Sequence, residues 1–446
     1  MSGGLSETRH TSTGAPRKVK PKVLLATTSR WYPTARLGVA LVKAGCSVEI
    51  VCPSHHPLGK TTVAHGRFSY HGLRPLRSFE RAIEATQPNI IVPGDDVAAR
   101  HLYRLYLRSR RRGEESVCAL IERSLGPSAS LATLYARTAF MKVAEEQGVR
   151  VPKTEVVQSP DDLRRWATQT GFPAVLKADG TSGGDGVRIV RSLEEAEHAL
   201  RSLQAPPLMA RALKRALVNQ DATLVWPSIS RQRSVVNAQA YVPGCEATST
   251  VACWEGAVLG CLHFEVIKKR SARGPATVVR RIEHPEMAHA VEKMVRRLNL
   301  SGLHGFDFML EAPSGNAYLI EMNPRVTQVG HLTLGPGRDL PAAMYAAMSH
   351  TEMQVAPAVT ENDTIALFPQ EWIRDPESEF VRSGYHDVPW EEPGLVQDCI
   401  DSRRKQSAWY SRAKRREAQN SSPVATPLPL TTPSKGHSVG LDCEAK

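Results

Sequence analysis

Short apolar runs alternate with amphipathic stretches between Lys22 and Val92, and that alternation predicts βαβ units built on a small parallel sheet. Lys22–Thr27 (KVLLAT) reads as a strand, Leu37–Ala44 as the helix after it, and Ser47–Cys52 (SVEIVC) as a second strand. A third strand, Asn89–Val92 (NIIV), follows the helical stretch Ser78–Ala85. Gly94, Asp95 and Asp96 come directly after it, at the strand end where open α/β sheets bind ligands. Two readings of Asp96 stay open there: an acid facing a ligand, or the cap of a helix starting at Val97.

Further along, Ala132–Gln147 has the pattern of one helix ending at Gly148, a glycine placed as a C-cap. From Val151 the period changes to strands with longer connections. Ala174–Ala178, Val187–Arg191, Val235–Val242, Ala247–Trp254 and Ala257–Val266 read as strands, and Leu193–Leu203 as a helix. Residues 204–233 carry no clear period and read as an insertion. The cationic stretch Lys268–Arg281 (KKRSARGPATVVRR) reads as a loop around a Gly-Pro turn, solvated or, through Arg280, facing an acidic acceptor. A long amphipathic helix, His284–Leu298, precedes a hairpin over Gly305–Asn323. No internal repeat is visible.

Length and composition narrow the class. A chain of 446 residues exceeds one ordinary core, so two or three packed subdomains are expected. Hydrophobic residues make up 41%, as in a globular protein, and no apolar run nears the roughly 18 residues of a membrane span. The polar N-terminus lacks a signal-peptide core, and eight cysteines without C-x-x-C spacing suit a reducing cytoplasm. The net charge of +12 is concentrated in Arg108–Arg112 and Arg403–Arg416, runs that are usually solvated helix faces. Residues 1–20 and 418–446 read as disordered tails.

The candidate chemistry sits in two segments. In GFDFMLEAPSGNAYLIEMNPR, Gly305–Arg325, Pro313-Ser314-Gly315 is the expected hairpin turn. A turn symmetric about Ser314 pairs Phe308 with Ile320 and Leu310 with Tyr318 on an apolar face. On the other face Asp307 opposes Glu321, with Asn323 two residues on. Two opposed carboxylates repel each other, and a divalent cation relieves that; with an amide oxygen they form a hard ligand set suited to Mg²⁺. A hydrated polar edge is the plainer alternative. Arg325 follows at once, beside the expected phosphate position. The second segment, Phe172–Arg191 (FPAVLKADGTSGGDGVRIVR), brings Lys177 on a strand to a glycine-rich turn containing Gly183, Gly184 and Gly186. Glycine lets successive N–H groups curl around anionic oxygens, and lysine adds a compact positive charge. The segment lacks the Lys-Ser/Thr of a Walker A loop, and it leads into a strand rather than a helix.

In this order (lysine strand, glycine-rich turn, hinge strand, D-x-F hairpin closing in E-M-N-P-R) the elements resemble the ATP-grasp superfamily over about Lys22–Met348. Phe306-Asp307-Phe308 and Ile320–Arg325 resemble the metal hairpin of biotin carboxylase and the amino-acid ligases. The resemblance implies an α/β and α+β architecture: a Rossmann-like pre-ATP-grasp domain (21–125), then the two-lobed ATP-grasp fold (126–350), then a C-terminal extension (351–417). The small lobe would span about 150–204 and the large lobe about 234–350. It further implies that Asp307, Glu321 and Asn323 ligate two Mg²⁺ ions, with Mn²⁺ as a substitute, and that Arg325 steadies the transferring phosphate. Lys177 would contact the phosphates of ATP, and Gly183, Gly184 and Gly186 would close over them. Gln239, Tyr241, Val242 and Glu246 (in QAYVPGCE) resemble the hinge that reads adenine and ribose, although Ala240 replaces an acid frequent in the family. Arg137 stands where many members have a lysine.

The implied activity is a carboxylate–amine ligase that makes an acylphosphate from ATP and releases ADP and phosphate. An ATP-binding regulatory protein without turnover is the alternative, and a nucleic-acid-binding protein ranks below both. The expected partners are small-molecule carboxylates and amines, with no membrane; an oligomer stays open. His304 and His331, flanking the hairpin, read as structural more readily than as catalytic. Ile365–Trp390 reads as an extension packed on the core or covering the acceptor, and Asp401–Arg416 as a basic surface helix.

Overall fold

The computed structural model describes residues 20–403 apart from 64–65, 180–185, 206–208, 210–212, 214–227, 230–232 and 273. The two expected tails, most of the expected insertion, the basic helix beyond Arg403, and Gly183 and Gly184 therefore lie outside the described residues. The chain divides into a main body, Met1–Asp398, and a C-terminal unit, Cys399–Lys446. Everything that positions the candidate site belongs to the main body.

The N-terminal sheet is parallel, in the order β3-β2-β1-β4, with β1 Lys22–Ala26, β2 Ser47–Cys52, β3 Gly66–Ser69 and β4 Ile90–Pro93. Leu24, Leu25, Ile50, Val51, Ile91 and Val92 are buried. Helices cover both faces, which is why these strands read as unbroken apolar runs. β3 was not expected: it is an edge strand of four residues with alternating exposure, too short and too polar for a hydrophobic run. α1 (Tyr32–Lys43) and α2 (Pro75–Thr86) each begin before the expected helical stretch, with a proline in the first turn. Proline fits there because its missing N–H has no helical partner to lose.

α3 (Asp96–Arg112) settles the two readings of Asp96. The cap is Asp95, whose carboxylate accepts from Ala98 N at 2.8 Å. Asp95 also accepts from Thr27 Oγ1 at 2.7 Å and Thr28 N at 2.6 Å, tying the ends of β1 and β4 together. Asp96 is left to face another element. After α4 (Glu115–Leu125), the single helix expected over Ala132–Gln147 is two: α5 (Ser128–Leu134) and α6 (Arg137–Glu146). Ala136 between them is extended, at φ −114° and ψ 97°, and no glycine or proline marks that break. Gly148, at φ +64°, ends α6 as a left-handed cap.

The small lobe is an antiparallel sheet in the order β5-β8-β6-β7: β5 Thr154–Val157, β6 Ala174–Ala178, β7 Val187–Val190 and β8 Val236–Ala240. α7 (Pro160–Thr170) and α8 (Leu193–Gln204) pack on it through Leu163, Trp166 and Leu200. The large lobe carries seven strands, in the order β13-β12-β9-β10-β11-β14-β15. They are β9 Gly244–Trp254, β10 Ala257–Lys269, β11 Ala276–Ile282, β12 Gly302–Glu311, β13 Ala317–Asn323, β14 Thr364–Ala366 and β15 Tyr385–His386. α9 (Pro285–Arg297) buries Met287, Val291 and Met294, and α10 (Leu340–Ser349) follows later in the chain.

Two expectations are corrected here. Lys268–Arg281 is not a long loop: β10 and β11 form a hairpin, with Val266 opposite Val279. Arg280 lies 3.7 Å from Glu265 and Arg281 pairs with Asp363 at 2.6 Å, so these cations are spent within the fold. The residues after 351 also do more than rest on the core, because Ile365 pairs with Val279 and extends the large-lobe sheet. Buried Asp387 then receives Arg36 of α1 at 2.6 Å and His331 Nε2 at 2.8 Å. His304 Nε2 is 2.7 Å from the Ser301 carbonyl, and burial pushes its ring down to about 4. Both histidines are structural. Among the described residues no helix is long and apolar enough to cross a membrane.

Candidate active site

β12 and β13 build the acidic centre. Gly305 pairs with Asn323, Phe306 with Met322, and Asp307 with Glu321, as the symmetric turn predicts. The register then shifts by one, so Phe308 pairs with Leu319 and Leu310 with Ala317. The expected pairs Phe308–Ile320 and Leu310–Tyr318 are therefore corrected, with Ile320 as the extra residue of a bulge. Packing explains the shift. It aligns Met322, Leu319 and Ala317 with Phe306 and Phe308, all of them buried, and leaves half-buried Tyr318 and Ile320 off that face. The acidic pair lies on the turn-distal side of the bulge, so it keeps its alignment.

Asp307 accepts from Thr248 Oγ1 of β9 at 3.0 Å and from Asn323 Nδ2 at 2.8 Å. Burial, and then the charge of Glu321, push its carboxyl up to about 6. Glu321 accepts from Arg137 Nη2 at 3.1 Å, and Arg325 Nε donates to Asp96 Oδ1 at 2.6 Å. Arg325 Nη2 is also 3.5 Å from Asn323 Oδ1. This donor set fits Mg²⁺ in chemistry: two carboxylates too close for comfort and one amide, all oxygen ligands for a hard ion. Among the described residues no third acid or histidine joins them, which leaves coordination positions for water and phosphate. Asn323 shows its N–H to Asp307, so its amide has to turn over to offer oxygen to the same ion.

Opposite this centre stands Lys177, near the end of β6 and 6% exposed. Among the described residues it has no hydrogen bond or ion pair. Burial, and then the neighbouring Arg137 charge, push its ammonium down to about 8, against the pull of Glu321, Asp307 and Glu246. The break between α5 and α6 places Arg137 at the start of α6, where it joins Glu321 and lies 3.8 Å from Asp179. Asp179 accepts from Asn237 Nδ2 at 2.8 Å, and Asn237 Oδ1 accepts from Thr138 Oγ1 at 2.6 Å.

The expected residues do not all gather. Arg137, Lys177, Asp307, Glu321, Asn323 and Arg325 share one charged cleft. Gly186 sits at the start of β7, its carbonyl accepting from Ala178 N at 2.9 Å. Gln239 is buried and its amide donates to Thr154 Oγ1 at 3.0 Å, which commits the side chain to the small-lobe sheet. Exposed Tyr241 and buried Val242 lie in the turn from β8 to β9 that joins the lobes. Glu246 is exposed on β9 and pairs with Lys269 at 2.6 Å. Sequence reading missed Thr248, which donates to Asp307, and Asp179, which lies beside Arg137 and is held by Asn237 and, through it, Thr138. No local motif marks them. Asp96→Asn is expected to lower turnover about tenfold, the scale for residues that orient a site's ligands, with nucleotide affinity unchanged; steady-state kinetics beside nucleotide titration checks both.

Residues 136–335 match the family described as the carbamoyl-phosphate synthase L chain, ATP binding domain. The formate-dependent phosphoribosylglycinamide formyltransferase of Bacteroides thetaiotaomicron is 26% identical over 299 residues, covering 65% of this chain and 68% of that one. Carbamoyl phosphate synthase large chains are matched over 32% of their length or less. Among solved structures, N5-carboxyaminoimidazole synthetase of Staphylococcus aureus complexed with ADP aligns with TM-score 0.53 at 14% identity, over 76% of this chain and 81% of that one. The biotin carboxylase domain of the Hydrogenobacter thermophilus 2-oxoglutarate carboxylase, in complex with MgADP, ADP and bicarbonate, aligns with TM-score 0.52 at 18% identity, over 76% and 71%. At such identities the structural likeness speaks for the fold, and it agrees with the domain matched by sequence. Residues 136–335 of this chain therefore form an ATP-binding domain of the ATP-grasp kind.

Proposed function

We propose that the protein is a carboxylate–amine ligase. It phosphorylates a carboxylate with ATP and hands the acylphosphate to an amine or similar nucleophile, releasing ADP and phosphate. The observation that carries this reading is the cleft itself, in which a buried lysine, without a side-chain partner among the described residues, faces a crowded carboxylate pair. Mg–ATP brings phosphate to Lys177 and a divalent cation to Asp307 and Glu321, of which Glu321 otherwise has the Arg137 guanidinium at 3.1 Å. Asp307, Glu321 and Asn323 would hold Mg²⁺, two ions in this reading with Mn²⁺ as a substitute, and bound metal neutralises phosphate charge there.

Phosphoryl transfer asks mainly for positioning and charge. Lys177 and Arg137 hold the nucleotide phosphates, and the glycine-rich segment, of which Gly183 and Gly184 lie outside the described residues, is assigned to the same phosphates. The segment through Gln239, Tyr241 and Val242, with Glu246 beyond it, receives adenine and ribose. Arg325, steadied by Asp96, binds the transferring phosphoryl group. Residues 21–125 supply the Rossmann-like domain, 126–350 the two lobes, and 351–417 the extension. The free state of the seven described cysteines supports a reducing, cytoplasmic setting.

The test is ADP and phosphate release by purified protein with Mg–ATP, screened against pooled amino acids and small carboxylates, with Glu321→Ala alongside. Release that needs one pool and vanishes in the variant is expected. Magnesium-dependent ATP binding with no release from any pool would favour a regulatory protein instead.

A further inference from the structure

The carboxyl edge of the N-terminal sheet carries more than Asp95 and Asp96. After β3, a pocket of about 650 Å³ opens between that strand and α2, a volume suited to a small molecule. Arg67 of β3 and His71 of the following loop line one wall, and Arg74, Arg77 and Arg81 line the other. Arg77 and Arg81 are spaced i, i+4, which puts them on one face of α2, and Arg74 is the residue immediately before that helix. Among the described residues no acidic side chain lines the pocket. Among the described residues none of the four arginines forms an ion pair, whereas Glu80 of the same helix is turned to Arg108 and Arg112 of α3. Like charges in a helical row cost stability, on the order of 0.2–0.5 kcal/mol per pair. An anion that the row receives offsets that cost.

We propose that this pocket binds the phosphate group of a phosphate-bearing small molecule, at a site separate from the nucleotide cleft. Guanidinium forks match phosphate oxygens in pairs, and four arginines line this pocket. The location supports a ligand as well, because open α/β sheets bind at their carboxyl edge. A second, smaller pocket after β2 shares Arg67, Phe68 and Ser69 with the first and continues along that edge. β3 and β4 are separated by β2 and β1, so three strand spacings, about 14 Å, divide the basic pocket from the β4 end that bears Asp96. A phosphorylated substrate of extended shape would reach from one to the other. A phosphorylated effector would bind the pocket alone. Only the substrate version rests on the ligase reading.

The probe is inorganic pyrophosphate, titrated by calorimetry into the full chain in chelator, with no magnesium or nucleotide. Arg77→Ala combined with Arg81→Ala is expected to weaken binding by about tenfold or more, while Lys177→Ala leaves it unchanged. These arginines are exposed, and thermal unfolding confirms that the double variant folds. No binding by wild type, or binding that falls with Lys177→Ala and not with the double variant, overturns the proposal. So does single-stranded RNA bound through the same arginines that pyrophosphate fails to displace. If pyrophosphate binds as expected, the double variant's kinetics separate the sources. A raised KM for the acceptor at unchanged Mg–ATP affinity means a substrate's phosphate. An altered rate at saturating acceptor means an effector. A protein that binds pyrophosphate in the pocket and never turns over ATP keeps this proposal and loses the ligase reading.

Discussion

Asp307→Asn is expected to lower ATP-dependent turnover about a thousandfold, or ~4 kcal/mol at 1.4 kcal/mol per decade, while making the ligand-free protein no less stable. Two features of the cleft combine to give this result. The carboxylate is buried and faces Glu321, and those influences hold it up at about 6. Its folded value thus lies above its unfolded one, so protonation favours the fold. The contribution is complete at acid pH and is lost as pH rises from the ordinary carboxylate value through about 6. Near pH 7.5 the wild-type apo protein therefore bears a buried negative charge that an asparagine of the same shape does not. Magnesium would turn that liability into binding. Its affinity for wild type is expected to fall about tenfold per unit below pH 6, because a ligand carboxylate must shed its proton first. Thermal unfolding with and without Mg²⁺ across pH 5 to 8 reads both effects. A variant that keeps wild-type magnesium affinity and turnover removes Asp307 from the metal site.

Lys177→Met gives the second large effect, from the opposite charge. Burial and Arg137 hold this ammonium at about 8, below its ordinary value. The sign is then reversed: the stability contributed by the neutral amine is present at high pH and lost as pH falls through about 8. At neutral pH the apo protein keeps a buried cation without a described partner, a cost that a methionine of similar length avoids. The variant is expected to melt higher than wild type while binding nucleotide about a hundredfold more weakly, the scale for one buried electrostatic contact to a charged ligand. Stability gained with function lost is the signature of a residue kept for its ligand. Lower stability with unchanged nucleotide affinity would instead make Lys177 a structural cation. Differential scanning calorimetry and nucleotide titration on the same samples decide between the two.

Much of the cleft was legible because its signals are local. The hairpin turn at Pro313–Gly315 and strand alternation bring Asp307 opposite Glu321 without any knowledge of the fold. Lys177 stands out because a glycine-rich turn follows its strand. The same locality limits the reading. The bulge at Ile320 has no marker in the hairpin, since it reflects which of two neighbouring side chains, Leu319 or Ile320, packs better with Phe308. The break at Tyr135–Ala136 carries neither glycine nor proline. The edge strand Gly66–Ser69 has no apolar run, so the basic pocket beside it went unread, although the arginines of α2 stood in plain helical spacing.

Periodicity and turn chemistry therefore determined a parallel α/β domain, a lysine strand and an acidic hairpin on their own, and the two lobes were what the resemblance carried by their order implied. Each of the first three depends on residues within a few positions of one another. The tertiary structure alone decided which charges are matched. Arg325 meets Asp96 across 229 positions, and Arg137 meets Glu321 across 184. It also decided that Lys177 is buried and Asp307 half-buried while the arginines of α2 stay exposed and, among the described residues, without an ion pair. Electrostatic energy depends on distance in space and on access to water, and neither is written in the order of the residues.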